Sequence, residues 1–150
     1  MRRVLFAVSA LVIPSLLPAQ AHPLVGEWKV SVPAGMRVED GQPTYIMANG
    51  AMTVVVAGDS LIATMKMEPM EGRPPRPATR LAAKLAAGKV TFTNSSEAKV
   101  NVNGEETTKT AVSTFVLDAT GDMLAGTVTR EIDGVAGMKD QPVKGTRVKL

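Results

Sequence analysis

The chain has 150 residues, no cysteine and a single histidine, His22, and carries a formal net charge of +3. Without cysteine there is neither a disulfide framework nor a thiol nucleophile, and a serine triad would have to be built on His22 alone. Arg2 and Arg3 account for most of the charge; without them the chain is close to neutral, so its basic pI gives no footing to a nucleic-acid function.

Those two arginines precede an almost wholly apolar run over 4–17, and Ala19-Gln20-Ala21 is a small-residue cleavage site. This is the build of a secretory signal peptide, 1–21, removed after Ala21. Pro14 and Pro18 break the apolar run, and it is too short for a spanning helix, which takes about 20 apolar residues. The expectation is a periplasmic or secreted protein with no membrane span, its residues 22–150 forming one domain large enough to bury a core. Arg2-Arg3 leaves both the general and the twin-arginine export routes open.

From there the pattern is of strands. Over 25–32, Trp28, Val30 and Val32 share one face with Leu24 and Gly26, while Val25, Glu27, Lys29 and Ser31 share the other; period 2 means a half-buried strand. Pro33-Ala34-Gly35 ends it, and 36–50 reads as a long loop with at most a short strand at 44–47. Residues 52–57 and 61–67 form a hairpin about Gly58-Asp59, with Leu61, Ala63, Met65 and Met67 on one face. Four prolines in 68–78 forbid ladder bonding and predict an extended surface loop. Residues 80–87 alternate as a strand does, although their alanines also suit a helical turn; the hairpin cue Gly88-Lys89 before 90–93 favours strand. Asn94-Ser95-Ser96 breaks that run, 98–102 resumes it, and Asn103-Gly104 is the strongest turn signal in the chain. A long strand at 107–117, a turn at Gly121-Asp122, a buried face at Leu124, Gly126, Val128 and Ile132, a loop about Asp133-Gly134 and Gly137, and a closing strand at 143–150 complete the chain. In that last strand, alternation groups Gly145, Arg147 and Lys149 opposite an apolar face of Thr146, Val148 and Leu150.

About eight strands joined by short turns, with no helical crossover, predict an all-β fold: a single antiparallel up-and-down barrel. A barrel of eight strands has an interior that side chains fill or that holds one small ligand. The expected inward set is Trp28, Val30, Leu61, Ala63, Met65, Met67, Leu81, Leu85, Val90, Phe92, Val100, Val102, Leu124 and Val128.

Leu24-x-Gly26-x-Trp28 opening the first strand of a small exported β-meander resembles the calycin group, in particular lipocalin-like domains of bacterial envelopes. The resemblance implies that Trp28 plugs the closed end of the barrel and that a basic residue near the end of the last strand, here Arg147, packs over the indole. It implies binding of a small apolar molecule, not catalysis.

The residues themselves offer little to an enzyme. There is no nucleophile elbow, and Glu27, Glu68, Glu71, Glu105, Glu106 and Glu131 fall on polar faces or turns. His22, first in the mature chain, reads as a frayed terminus. Met65-x-Met67-x-x-Met70 has thioethers suited to Cu(I), but Met65 and Met67 share their face with Leu61 and Ala63, the pattern of a core or pocket lining. Arg73, Arg76 and Arg80 in or beside the proline loop read either as a solvated loop or as a rim for an anionic headgroup or acidic partner. The expectation is therefore a cofactor-free, non-catalytic protein holding a small hydrophobic or amphiphilic molecule, with Leu61, Ala63, Met65, Met67, Arg73, Arg76, Leu85 and Phe92 as the candidate ligand-binding residues and no catalytic or metal-binding ones. Gly26, Trp28 and Arg147 are its structural signature. The alternatives are an envelope protein–protein interaction module with a filled barrel and a methionine-based periplasmic Cu(I) binder.

Overall fold

Tight turns set the topology. In the computed structural model, which describes residues 21–149 (side chains at 36–38, 102, 135 and 136 excepted), the strands are β1 (Gly26–Glu39), β2 (Gln42–Ala57), β3 (Ser60–Met67), β4 (Thr79–Lys84), β5 (Val90–Val102), β6 (Glu105–Thr120), β7 (Met123–Ile132) and β8 (Val135–Arg147). Among the described residues five connections are two-residue turns. Asp40-Gly41, Asn103-Gly104 and Asp133-Gly134 have positive φ at both positions, the pattern of a type I′ turn, whereas Gly58-Asp59 and Gly121-Asp122 have it only at the glycine. Such turns match the right-handed twist of the strands they join, so each strand pairs antiparallel with the next. β8 returns to β1 over four pairs, Trp28↔Arg147 to Ser31↔Lys144, and the sheet closes into an up-and-down barrel in the order β1 to β8. The signal-peptide expectation concerns residues 1–20, outside the described residues. Among the described residues no helix is long and apolar enough to cross a membrane.

The strands run further than hydrophobic alternation indicates. β1 does not stop at Pro33-Ala34-Gly35: the register moves from Pro33↔Met47 to Gly35↔Ile46, so Ala34 is an extra residue in a bulge and the strand goes on to Glu39. Bulges tolerate proline. The segment expected as a loop, 36–50, is therefore the rest of β1, a two-residue turn and the first half of β2. Likewise Asn94-Ser95-Ser96 lies inside β5, paired with Ser113, Val112 and Ala111, and β8 begins at Val135 rather than 143. In these stretches backbone ladders with a neighbouring strand satisfy the chain where no apolar face marks it. Residues 80–87 resolve as β4, which ends at Lys84.

One apolar cluster occupies the body of the barrel. Trp28 and Val30 from β1, Met52 and Val54 from β2, Leu61, Ala63 and Met65 from β3, Leu81 from β4, Val90 and Phe92 from β5, Leu117 from β6, Leu124 and Val128 from β7 and Val143 from β8 are all buried in one cluster. Burying a Leu, Val or Phe side chain stabilises by about 1.5–3 kcal/mol, so this cluster is the main source of stability. Of the expected inward set, Leu85 is corrected: it lies past the end of β4, donates its N–H to Asp59 O and is 43% exposed. Val100 is only half-buried, and the side chain of Val102 lies outside the described residues.

The two ends differ. At one end residues 22–26 close the barrel. At the other the hairpins β1–β2, β5–β6 and β7–β8 and the loop 68–78 stand around the mouth. β4 meets β5 through one ladder pair, Ala82↔Thr93, the weakest seam in the wall.

Candidate functional site

At the closed end Trp28 is fully buried, and its indole Nε1 donates to Leu24 O at 2.8 Å. The Arg147 guanidinium carbon sits 4.2 Å from the centroid of that ring. Its Nη1 donates to Val25 O at 2.8 Å and its Nη2 to Pro23 O at 2.7 Å, so the last strand ties down the segment that precedes the first. Arg147 shares the inward side with Val143 and Gly145, both buried, and not, as simple alternation suggested, the side turned from the core. The reason is steric: a Cβ on Gly145 would lie 3.2 Å from Val30 Cγ1 and 3.3 Å from Leu124 Cβ, so glycine marks the crowded face there. Gly26 leaves space for the guanidinium, since a Cβ on it would stand 2.6 Å from Arg147 Nη1. His22 is not frayed. Its Nε2 lies 2.7 Å from Ala86 O and its Nδ1 accepts from Leu24 N–H at 3.2 Å; the two bonds together assign the proton to Nε2. This end is a structural cap.

The expected ligand residues separate into three places. Leu61, Ala63, Met65 and Phe92 are in the packed core. Met67, Arg73 and Arg76 meet at the mouth, where with Ala34, Ala48, Glu68, Pro69, Met70 and Pro74 they line a hollow of about 20 Å³, room for a single water. Leu85 is at neither. Met65 lies in the core cluster with Met67 packed against it, and Met67 and Met70 line the hollow. Among the described residues no three His, Cys, Asp or Glu side chains come together as a candidate metal site.

The large concavity lies elsewhere, on the outer wall. It measures about 790 Å³ and spans β3, β2, β1 and β8. Two cross-strand rows of outward side chains build it: Lys66, Ala51, Lys29, Thr146 and Met123 in one, and Asn49, Ser31 and Lys144 in the other. Between them runs the row Met67, Gly50, Val30, Gly145, whose side chains turn inward and whose backbone forms the floor. Interior strand glycines mark tight bends or close backbone approach, and Gly50 is such a place: a Cβ there would be 2.6 Å from Lys66 O and 2.9 Å from Met67 Sδ. Short side chains at Ala51, Ser31, Asn49 and Thr146 keep the floor low; Met123, 59% exposed, walls one end, and Glu68 with Pro69 the other. The lysines were visible in the sequence only as ordinary outward positions. Gly50 and Gly145, each inside a strand, were the one cue to a groove.

Compared with known proteins, the chain matches no family model, no curated protein and no solved structure.

Proposed function

We propose that this protein is an exported, non-catalytic binding protein of lipocalin-like build that holds a small hydrophobic or amphiphilic molecule, and that the molecule sits in the outer groove rather than in the lumen. A closed eight-stranded up-and-down barrel with a Gly26–Trp28–Arg147 cap supports the lipocalin-like assignment. The groove carries the functional one: about 790 Å³ is within the range of small-molecule sites, and a mostly apolar surface with a few polar groups is their usual lining. The core fills the lumen side of the same wall, which is why the binding place moves outward from Leu61, Ala63, Met65 and Phe92. Methyl NMR of methionine-labelled protein tests this. An amphiphile in the groove moves the Met123 signal and leaves the inward Met52, Met65 and Met67 in place; shifts confined to those three would return the ligand to the lumen or its mouth.

The filled core also favours a second function, an envelope interaction module. It predicts that no amphiphile moves Met123 and that the outer face instead captures a folded partner, detected by cross-linking from Lys29 or Lys144 in the cell envelope.

A further inference from the structure

The groove's charge is uneven, and this names a ligand class. Three lysines line it, Lys29, Lys66 and Lys144, against one carboxylate, Glu68. Among the described residues none of the three has an ion pair, whereas Lys99 holds Glu106 at 2.9 Å, Lys109 holds Asp133 at 2.9 Å and Lys149 holds Asp122 at 3.1 Å. Lys66 and Lys29 flank Ala51 in one cross-strand row, so their stems leave the sheet about 10 Å apart, two strand spacings. Lys144 pairs with Ser31 and stands diagonally across from Lys29, about 7–8 Å away. Long aliphatic stems add apolar wall while their ammonium groups reach the rim. Like charges held this close repel, and an anion among them relieves that repulsion.

We infer that the groove selects an anionic amphiphile, its chain laid over the Gly50–Gly145 floor toward Met123 and its acidic head among Lys29, Lys66 and Lys144. This rests on the groove-binding function proposed above and adds the sign of the ligand's charge. The occupant is a single free molecule: the concavity has the volume of one small ligand, and a bilayer surface would engage the lysine tips without entering it.

Three twelve-carbon probes separate the outcomes: dodecanoate, dodecyl maltoside and dodecyltrimethylammonium, each titrated below its micelle concentration against methionine-methyl NMR. Dodecanoate is expected to move Met123 and to bind at least about fivefold tighter than the maltoside, with the trimethylammonium weakest. That preference should shrink as salt rises from 0.01 to about 0.15 M, as the Debye length falls from roughly 30 to 8 Å. The triple variant Lys29→Gln, Lys66→Gln, Lys144→Gln, altered only at exposed positions, should bind dodecanoate and the maltoside equally. Equal binding of all three probes by the unaltered protein overturns the charge selection and leaves the groove as a neutral site. Met123 unmoved by every probe overturns the groove function itself, and the selection with it. Co-sedimentation with phosphatidylglycerol vesicles, without binding of monomeric dodecanoate, overturns the single-molecule occupant in favour of a membrane surface.

Discussion

Gly26 and Arg147 compete for one space, and that fixes what can be changed at the cap. Gly26 has φ of 133°, a conformation side chains resist, and any Cβ would displace a guanidinium already held by Val25 O and Pro23 O. Gly26→Ala is expected to destabilise by about 2–4 kcal/mol, from backbone strain plus lost charge-assisted hydrogen bonds. With Arg147→Ala already present, the same change should cost only the strain, about 1–3 kcal/mol; urea denaturation of the two single variants and the double variant measures the difference. Arg130 offers the opposite sign. Among the described residues its buried Nε has no hydrogen-bond partner, and it lies on a strand whose neighbouring inward residue, Val128, is in the core. An unsatisfied buried donor costs about 1–3 kcal/mol, so Arg130→Met, which keeps the unbranched stem, should raise stability by about 1 kcal/mol in the same assay. At this scale the sequence was readable where a residue is unique, as with Trp28, and unreadable where direction depends on a neighbour's bulk. Nothing in Gly145-Thr146-Arg147 says which side faces the core until Val30 and Leu124 are placed on either flank.

Strands and turns were legible to different extents for the same physical reason. Where one face is buried, as in 61–67, alternation shows it; where a hairpin projects past the core, as in 94–102 or 36–47, only its two-residue turn betrays it. Asp133-Gly134 is such a turn, and β6 anchors it: Asp133 N–H donates to Thr110 O, and Lys109 Nζ lies 2.9 Å from the Asp133 carboxylate. The hydrogen bond from Lys109 holds the Asp133 carboxyl below the usual aspartate value, outweighing partial desolvation. A carboxyl lowered on folding contributes stability that is complete above its unfolded value and is lost as pH falls through the lowered folded value. A carbon-13 titration should therefore place the Asp133 midpoint below the usual value and shift it upward in Lys109→Ala. Gly50, in β2, is the element-scale test of the groove. Gly50→Val puts branched carbon against the Lys66 carbonyl and Met67, and overpacking of this kind costs about 1–3 kcal/mol. The expected result is a lower urea midpoint together with altered Met67 and Met123 methyl signals.

For the whole molecule, the all-β barrel was legible because every link is a local hairpin or loop between neighbouring strands. The location of a binding surface was not, since an eight-stranded barrel can be full or hollow on the same alternation, and the groove joins residues 29–31, 49–51, 66–69 and 144–146 only after closure. That closure has a consequence in time. Seven of the eight strand pairings join neighbours in the chain, and such contacts form early because little loop entropy opposes them. Joining β1 to β8 brings Trp28 to Arg147 across nearly the whole described chain, and it belongs late on the folding path, after the transition state. Arg147→Leu should then leave the refolding rate almost unchanged and speed unfolding by about tenfold, the partition expected for a contact absent from the transition state, as read by stopped-flow Trp28 fluorescence. The arginine over the tryptophan acts as a latch that sets how long the barrel stays shut, and the groove, whose two halves lie on either side of that join, lasts only as long as the latch holds.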